Sequence, residues 1–232
     1  MKIVELPISF EFNGQQNVIY PSLIVSENEL ALVDTGYPGF LPMLEAEIRR
    51  NGFDMENVRH VIITHYDDDH IGALFELKEK YPRIRVIASE TEAKSISGEQ
   101  KSERLVQAEQ MLERMPEEQK EFGTWFIRRL QQLKHVPVDH TVRDGDMLFD
   151  GQCRVVATPG HTSGHISLYF PELRSVITGD AAVHENGGLA IANPHYCLDL
   201  QRAEQSLNAL QRLDADTYYC FHGGKWSSGG PR

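Results

Sequence analysis

The alternation of apolar and polar positions divides the chain into three stretches of different texture. In the first, apolar runs over residues 3–12, 17–25 and 30–34 read as strands, and Asn13-Gly14 between the first two is a hairpin signal. Leu41, Leu44 and Ile48 recur at helical spacing over 40–50, where Asn51-Gly52 ends the helix. A strand over 58–64, a helix over about 70–81 stopped by Pro82, and a strand over 84–88 follow. Strand and helix in alternation indicate an α/β protein. From 99 to 134 the texture becomes long, charged and helical. Leu105, Ala108, Met111, Leu112 and Met115 share one face; Phe122, Trp125, Phe126, Leu130 and Leu133 share a face of a second helix, whose start suits Pro116-Glu117-Glu118. This predicts a helical hairpin inserted at about 99–135 in a single domain spanning 1–232. Its aromatic stripe either packs on the α/β frame, as amphipathic helices do, or places Trp125 and Phe126 in the wall of a substrate pocket. Strands are then expected over 147–149, 154–158, 165–170, 175–178 and 216–221, with a helix over 199–213. Residues 226–232, rich in Ser and Gly, read as a loose tail.

One polar interruption stands out. The apolar run Val61, Ile62, Ile63 ends in Thr64-His65-Tyr66-Asp67-Asp68-Asp69-His70. If the segment stays extended, His65, Asp67 and Asp69 point one way and Tyr66 and Asp68 the other. Asp68 then serves as a cap or acceptor for the helix beginning near His70. Carboxylates about 4 Å apart at an effective dielectric of about 20 repel by roughly 4 kcal/mol per pair, and a bound divalent cation reverses that sign. Four more polar residues follow apolar runs with a glycine close by: Asp34 in Val-Asp-Thr-Gly, His161 in Pro-Gly-His-Thr-Ser-Gly-His, Asp180 in Thr-Gly-Asp, and His222 in Phe-His-Gly-Gly. Strand ends are where function sits on a rigid scaffold.

Composition narrows the function classes. With 41% hydrophobic and 25% charged residues the chain is an ordinary globule, and its formal charge of −11 opposes broad binding to nucleic acid or anionic membrane. No apolar run of about 18 residues predicts a membrane span, and Glu5, Pro7 and Glu11 break the N-terminal stretch where a signal peptide would be apolar. Cys153, Cys197 and Cys220 are widely spaced without CxxC, which suits free thiols and a cytoplasmic location. The expected partner is a small-molecule substrate; nothing in the sequence speaks to oligomeric state.

The order Asp34, then 64–70, His161, Asp180 and His222 covers almost the whole chain and resembles the metallo-β-lactamase-fold hydrolase superfamily, with the glyoxalase II and lactonase-like branches nearest. That resemblance implies an αββα sandwich with a two-metal site at one edge of its sheets. By motif matching, His65 and His161 fall on ligands of the first metal, Asp69, His70 and His222 on the second, and Asp180 on the bridge. Asp34 and Thr64 fall on positions that support ligands from behind. The family pattern Thr-His-x-His-x-Asp-His carries Asp67 here at its second His, so Asp67 is the remaining ligand candidate. A carboxylate there is consistent with retained zinc, with a preference for manganese or iron, or with weaker binding at the first site. Two divalent ions, zinc as the first expectation, would move the formal charge from −11 by +4 to about −7.

The resulting expectation is a hydrolase using a metal-bridging water on a lactone, thioester or ester, with Asp69 as the acid-base group. Alternatives are a phosphodiesterase, suggested by Asp67; an iron-dependent oxidation of a sulfur compound at a triad of His65, His161 and Asp180; and a metal-binding protein without turnover. His184, His195 and Tyr196 are candidates for substrate contact. His165, opening a strand, reads as a buried hydrogen-bonded residue, and Cys220 as a buried inert thiol.

Overall fold

The structure, a computed structural model, describes residues 1–12 and 14–229. Prolines break the first two predicted strands. Residues 3–12 divide at Leu6-Pro7 into β1 (Lys2–Glu5) and β2 (Ile8–Phe12), and 17–25 divide at Tyr20-Pro21 into β3 (Gln15–Ile19) and β4 (Ser22–Val25). A prolyl nitrogen has no proton for a ladder bond, so each run changes partner there. β1 pairs with β4, and β2 with β3 in a separate two-stranded ribbon. Asn13 of the predicted turn lies outside the described residues.

The chain continues through β5 (Leu30–Val33), α1 (Leu41–Arg50), β6 (Val58–Ile63), α2 (Leu74–Lys80), β7 (Arg85–Ser89) and α3 (Glu90–Ile96). The inserted hairpin is α4 (Glu103–Arg114) and α5 (Lys120–Gln131), and β8 (His140–Val142) completes the first sheet. Then come β9 (Met147–Leu148), β10 (Cys153–Ala157), β11 (Ile166–Phe170) and β12 (Ser175–Gly179). A small ribbon of β13 (Val183–Glu185) and β14 (Gly188–Ala190), helix α6 (Leu200–Gln211), β15 (Thr217–Cys220) and β16 (Gly224–Ser227) follow.

The two large sheets have the orders β1-β4-β5-β6-β7-β8 and β16-β15-β12-β11-β10-β9. Strand parity assigns each side chain to a layer. In β6, Val61 and Ile63 join Leu44, Ile48, Leu74 and Leu77 beneath α1 and α2, while Ile62 faces the second sheet among Val155, Ile166, Leu168 and Ile177. On the far side Val156, Val176 and Tyr218 pack with Leu210 of α6. The layers are therefore helix, sheet, sheet, helix, the αββα sandwich.

Three expectations change. The helix predicted from 70 begins at Leu74, because residues 64–73 are held in turns: the N–H groups of His70 and Ile71 both donate to Asp67 O (3.0 Å each), and Thr35 N–H donates to His70 O (2.7 Å). Helix α3, absent from the expectations, starts from Ser89, whose hydroxyl accepts Glu92 N–H (3.2 Å). The signature Ser-x-x-Glu at 89–92 was available in the sequence. Of the predicted loose tail, Trp226 and Ser227 belong to β16, and Trp226 Nε1–H donates to Gly187 O (3.0 Å); residues 230–232 lie outside the described set.

Candidate metal centre

The polar residues marked at strand ends converge on one edge of the sandwich. Asp34 follows β5, residues 64–72 follow β6, and His161, Asp180 and His222 follow β10, β12 and β15. Two glycines make the approach possible. Gly179 (φ +54°) lies against His165 and Thr64, where a Cβ would come within 2.7 Å of the His165 ring. Gly160 (φ +135°) lets the turn before His161 press on the first turn of α6, where a Cβ would stand 2.1 Å from Ala203 N.

Asp34 sets the ring orientations. It adopts φ +61°, and its carboxylate accepts from Thr64 N–H (2.9 Å), Thr64 Oγ1–H (2.8 Å) and His70 Nδ1–H (2.9 Å). Since the Thr64 hydroxyl proton goes to Asp34, its oxygen is left to accept from His65 Nδ1–H (3.0 Å). In the neutral form each ring thus turns Nε2, with its lone pair, into the site. His65 Nε2, His70 Nε2 and Asp180 Oδ1 are buried and have no hydrogen-bond partner. Buried polar atoms are seldom left so, and a set of imidazole lone pairs around a carboxylate oxygen fits a divalent cation.

Two groups result. His65, His161 and Asp180 each offer a ligand atom within 4.8 Å of the others, as do Asp69, His70 and His222. Asp180 lies between them: its Oδ1 is 3.3 Å from His70 Nε2, and its Oδ2 is 3.5 Å from His161 Nε2 and 3.6 Å from His222 Nε2. Asp69 Oδ2 is 3.1 Å from His222 Nε2. Burial would raise Asp180, but His222, His70 and His161 outweigh it and hold the carboxyl well below its usual range. Burial would lower His70, yet Asp69, Asp34 and Asp180 raise it well above. Cation binding must displace that proton, so it should release protons.

Behind this centre, His165 Nε2 accepts Asp180 N–H (2.9 Å), so its Nδ1–H donates to Thr158 Oγ1 (2.8 Å). Burial, with His65 nearby, keeps His165 neutral, well below its usual pKa. Cys220 is buried, its thiol pushed up to about 12 by desolvation.

The turn after β6 does not keep strand parity, so His65 and Asp69 join different groups. Tyr66 is buried, its N–H donating to Glu92 Oε2 (2.9 Å). Asp68 is not a helix cap: its Oδ2 is bound by Arg129 Nε of α5. Asp67 reaches the rim of the first group, with Oδ2 3.4 Å from His65 Nε2 and 3.0 Å from His161 Nε2, but both its oxygens also accept from Arg104 of α4. Burial would raise Asp67; the guanidinium and the two imidazoles hold it well below its usual range.

Above the centre opens a cavity of about 460 Å³ with Asp69, Asp180 and His222 in its floor. Phe12, Tyr37, Phe122, Trp125, Phe126 and Tyr196 form an aromatic wall, with Phe12 and Trp125 ring centroids 5.9 Å apart. His184 also lines it, whereas His195 is exposed and outside the lining, because its 3-10 turn directs Tyr196 inward instead. Trp125 and Phe122 keep 42% and 47% of their surface exposed, so α5 presents them to the cavity mouth rather than to the core.

Sequence reasoning missed Arg104, Arg129 and Glu92. Glu92, fully buried, accepts from Tyr66 N–H, Thr162 Oγ1–H (2.6 Å) and Gly164 N–H (3.2 Å), tying the 64–72 turn to the 161–165 loop. Burial nevertheless raises its pKa to about 7 from an unfolded value of 4.5. The folded state therefore binds the proton more tightly, and this contribution to stability, full below pH 4.5, is lost as pH rises through 7. Its span is up to about 3 kcal/mol. Denaturant unfolding of wild type and Glu92→Gln across about pH 4 to 8 should show the component only in wild type; parallel pH curves would refute it.

A sequence profile described as the Metallo-beta-lactamase superfamily matches residues 16–222. The chain belongs to this superfamily. Its two His/Asp groups are suited to divalent metal. It is 25% identical over 170 residues to an uncharacterized protein, YobT, of Bacillus subtilis (strain 168), covering 73% of this chain and 64% of that protein. It is 27% identical over 182 residues to a hydroxyacylglutathione hydrolase of Brucella anthropi, covering 77% of this chain and 52% of the other. The chain thus spans about half to two thirds of the length of these curated relatives. A crystal structure of a metallo-beta-lactamase family protein from Thermus thermophilus has the same fold, with a TM-score of 0.71 at 24% identity over 97% of this chain and 74% of the other. Among the described residues no helix is long and apolar enough to cross a membrane.

Proposed function

We propose that this superfamily member hydrolyses a small activated carbonyl compound, a thioester, ester or lactone, that carries a bulky apolar part. The observation that carries this reading is the set of unpartnered donor atoms, His65 Nε2, His70 Nε2 and Asp180 Oδ1, converging beneath an aromatic-walled cavity. His65, His161 and Asp180 would hold one cation, and Asp69, His70 and His222 another, with Asp180 reaching both. Bound divalent cations, zinc in the first instance and manganese or iron as alternatives, supply Lewis acidity at the carbonyl and a water acidic enough to attack near neutral pH.

The chain's own residues do the rest. Asp34 and Thr64 fix the imidazole orientations. Asp69 faces the cavity and is the group placed to hold a proton and return it to the leaving atom. The aromatic wall takes up the apolar part of the substrate and keeps bulk water from it. Relatives named hydroxyacylglutathione hydrolase support the thioester option within this set.

A second reading has its own observation: His65, His161 and Asp180 form a two-histidine, one-carboxylate face that also suits iron-dependent oxidation. Metal analysis of the purified chain, with a panel of thioester, lactone, ester and phosphodiester substrates, tests both. Carbonyl substrates with aromatic or long acyl groups should turn over fastest, and chelation should abolish turnover and lower the melting temperature. A preference for phosphodiesters, or a single iron with oxygen uptake, would overturn the carbonyl reading. An unchanged melting curve after verified metal removal would remove the centre itself.

A further inference from the structure

Arg104 sits in the first turn of α4, beyond the serine cap Ser102, in a helix whose other charged residues are half-buried or exposed. It is 3% exposed. Its Nε–H donates to Asp67 Oδ1 (2.9 Å) and Nη2 to Asp67 Oδ2 (2.6 Å), a two-pronged pair. Nη2 also lies 3.1 Å from His161 Nε2, and Nη1 donates to Gln107 Oε1 and to the Tyr196 carbonyl. The guanidinium is therefore satisfied on every nitrogen and fixed against the rim of the group formed by His65, His161 and Asp180.

That placement sets two demands against each other. Asp67 is the carboxylate nearest the His65 and His161 nitrogens and could complete their group, yet its oxygens are already engaged by a permanent cation. The same guanidinium brings its positive charge within contact of His161, one of the atoms a metal ion would need. No comparable cation bears on Asp69, His70 and His222 among the hydrogen bonds and ion pairs of the described residues.

We propose that Arg104 makes the two cation positions unequal: the group of Asp69, His70 and His222 binds tightly, and the group of His65, His161 and Asp180 binds weakly because Arg104 holds Asp67 and competes by charge. This rests on the cation-binding reading above. Arg104 is then a positioning residue that sets how many ions the enzyme carries at a given free-metal concentration. It also couples filling of the weaker position to the docking of α4 and the 193–197 turn, since the guanidinium joins both.

The test is a titration of the metal-free full chain with Zn²⁺, and separately Mn²⁺, read by calorimetry and by metal content after equilibrium dialysis. Wild type should bind a first equivalent at least about 100-fold more tightly than a second. Arg104→Met, which keeps the aliphatic stem and removes the charge, should narrow the gap to within about 10-fold, while Arg104→Lys, which keeps the charge but loses the fork, should leave it wide. A merely structural anchor predicts that both variants lose stability alike and that neither gains affinity for a second ion. Two equally tight equivalents in wild type would overturn the inference and leave the proposed function standing. Absence of any binding would overturn both. The wild-type titration keeps the inference open to refutation even if Arg104→Met does not fold.

Discussion

Asp180→Asn should lower turnover, measured with saturating cation, by about a thousandfold or more, equivalent to about 4 kcal/mol of transition-state stabilisation. The carboxylate has one oxygen 3.3 Å from His70 and the other within 3.5 to 3.6 Å of His161 and His222, so it serves both ligand groups at once. Asparagine keeps the shape and the backbone N–H that His165 accepts, which leaves the fold little reason to change. What it removes is the negative charge shared by the two ligand groups, together with one acceptor oxygen that would hold a cation. Loss should appear mainly in kcat, accompanied by a lower metal content. Full turnover in Asp180→Asn, or in His161→Ala assayed beside it, would be incompatible with hydrolysis at this centre.

Gly160→Ala should cost about 3 kcal/mol or more and lower the melting temperature by roughly 6 to 12 °C. The added Cβ would lie 2.1 Å from Ala203 N and 2.4 Å from Ala203 Cα, both backbone atoms of the first turn of α6, and no rotamer can relieve such a clash. The contacts that must open include Asp199 N–H to Gly160 O (2.9 Å) and Ser206 Oγ–H to Pro159 O (2.7 Å). His161 follows at once in the chain, so cation affinity should fall with stability. Gly151→Ala is the control: Gly151 also has a positive φ, +85°, but nothing lies within 4 Å of its Cβ position, and about 1 kcal/mol is expected. Equal losses in the two variants would show that backbone strain, not the approach of α6, governs Gly160.

The segments that converge on the candidate centre were legible in sequence for a physical reason. Each is an apolar strand that ends abruptly in a His or Asp with a glycine nearby, and packing gives no cause for such an ending. The layers were legible through strand parity, and the αββα sandwich through the motif order. Parity misled only where it was carried past Ile63, because the strand stops there and turn hydrogen bonds take over. The partner residues were hidden for the opposite reason. Arg104 and Arg129 sit in charged amphipathic helices where an arginine ordinarily faces solvent, and nothing local distinguishes these two from their neighbours. Their partners, Asp67 and Asp68, lie 37 and 61 positions away. Only the docking of the insertion on the 64–72 turn makes them a pair.

Each ligand group draws side chains from both halves of the sandwich. His65 comes from the end of β6 in the first sheet, while His161 and Asp180 come from the second; Asp69 and His70 come from the first, and His222 from the second. An ion held by either group is therefore a rivet through the seam between the sheets. Neither half alone supplies a full group, so metal loading would report completed assembly. The seam should be the part of the protein whose amide protons exchange more slowly when metal is added.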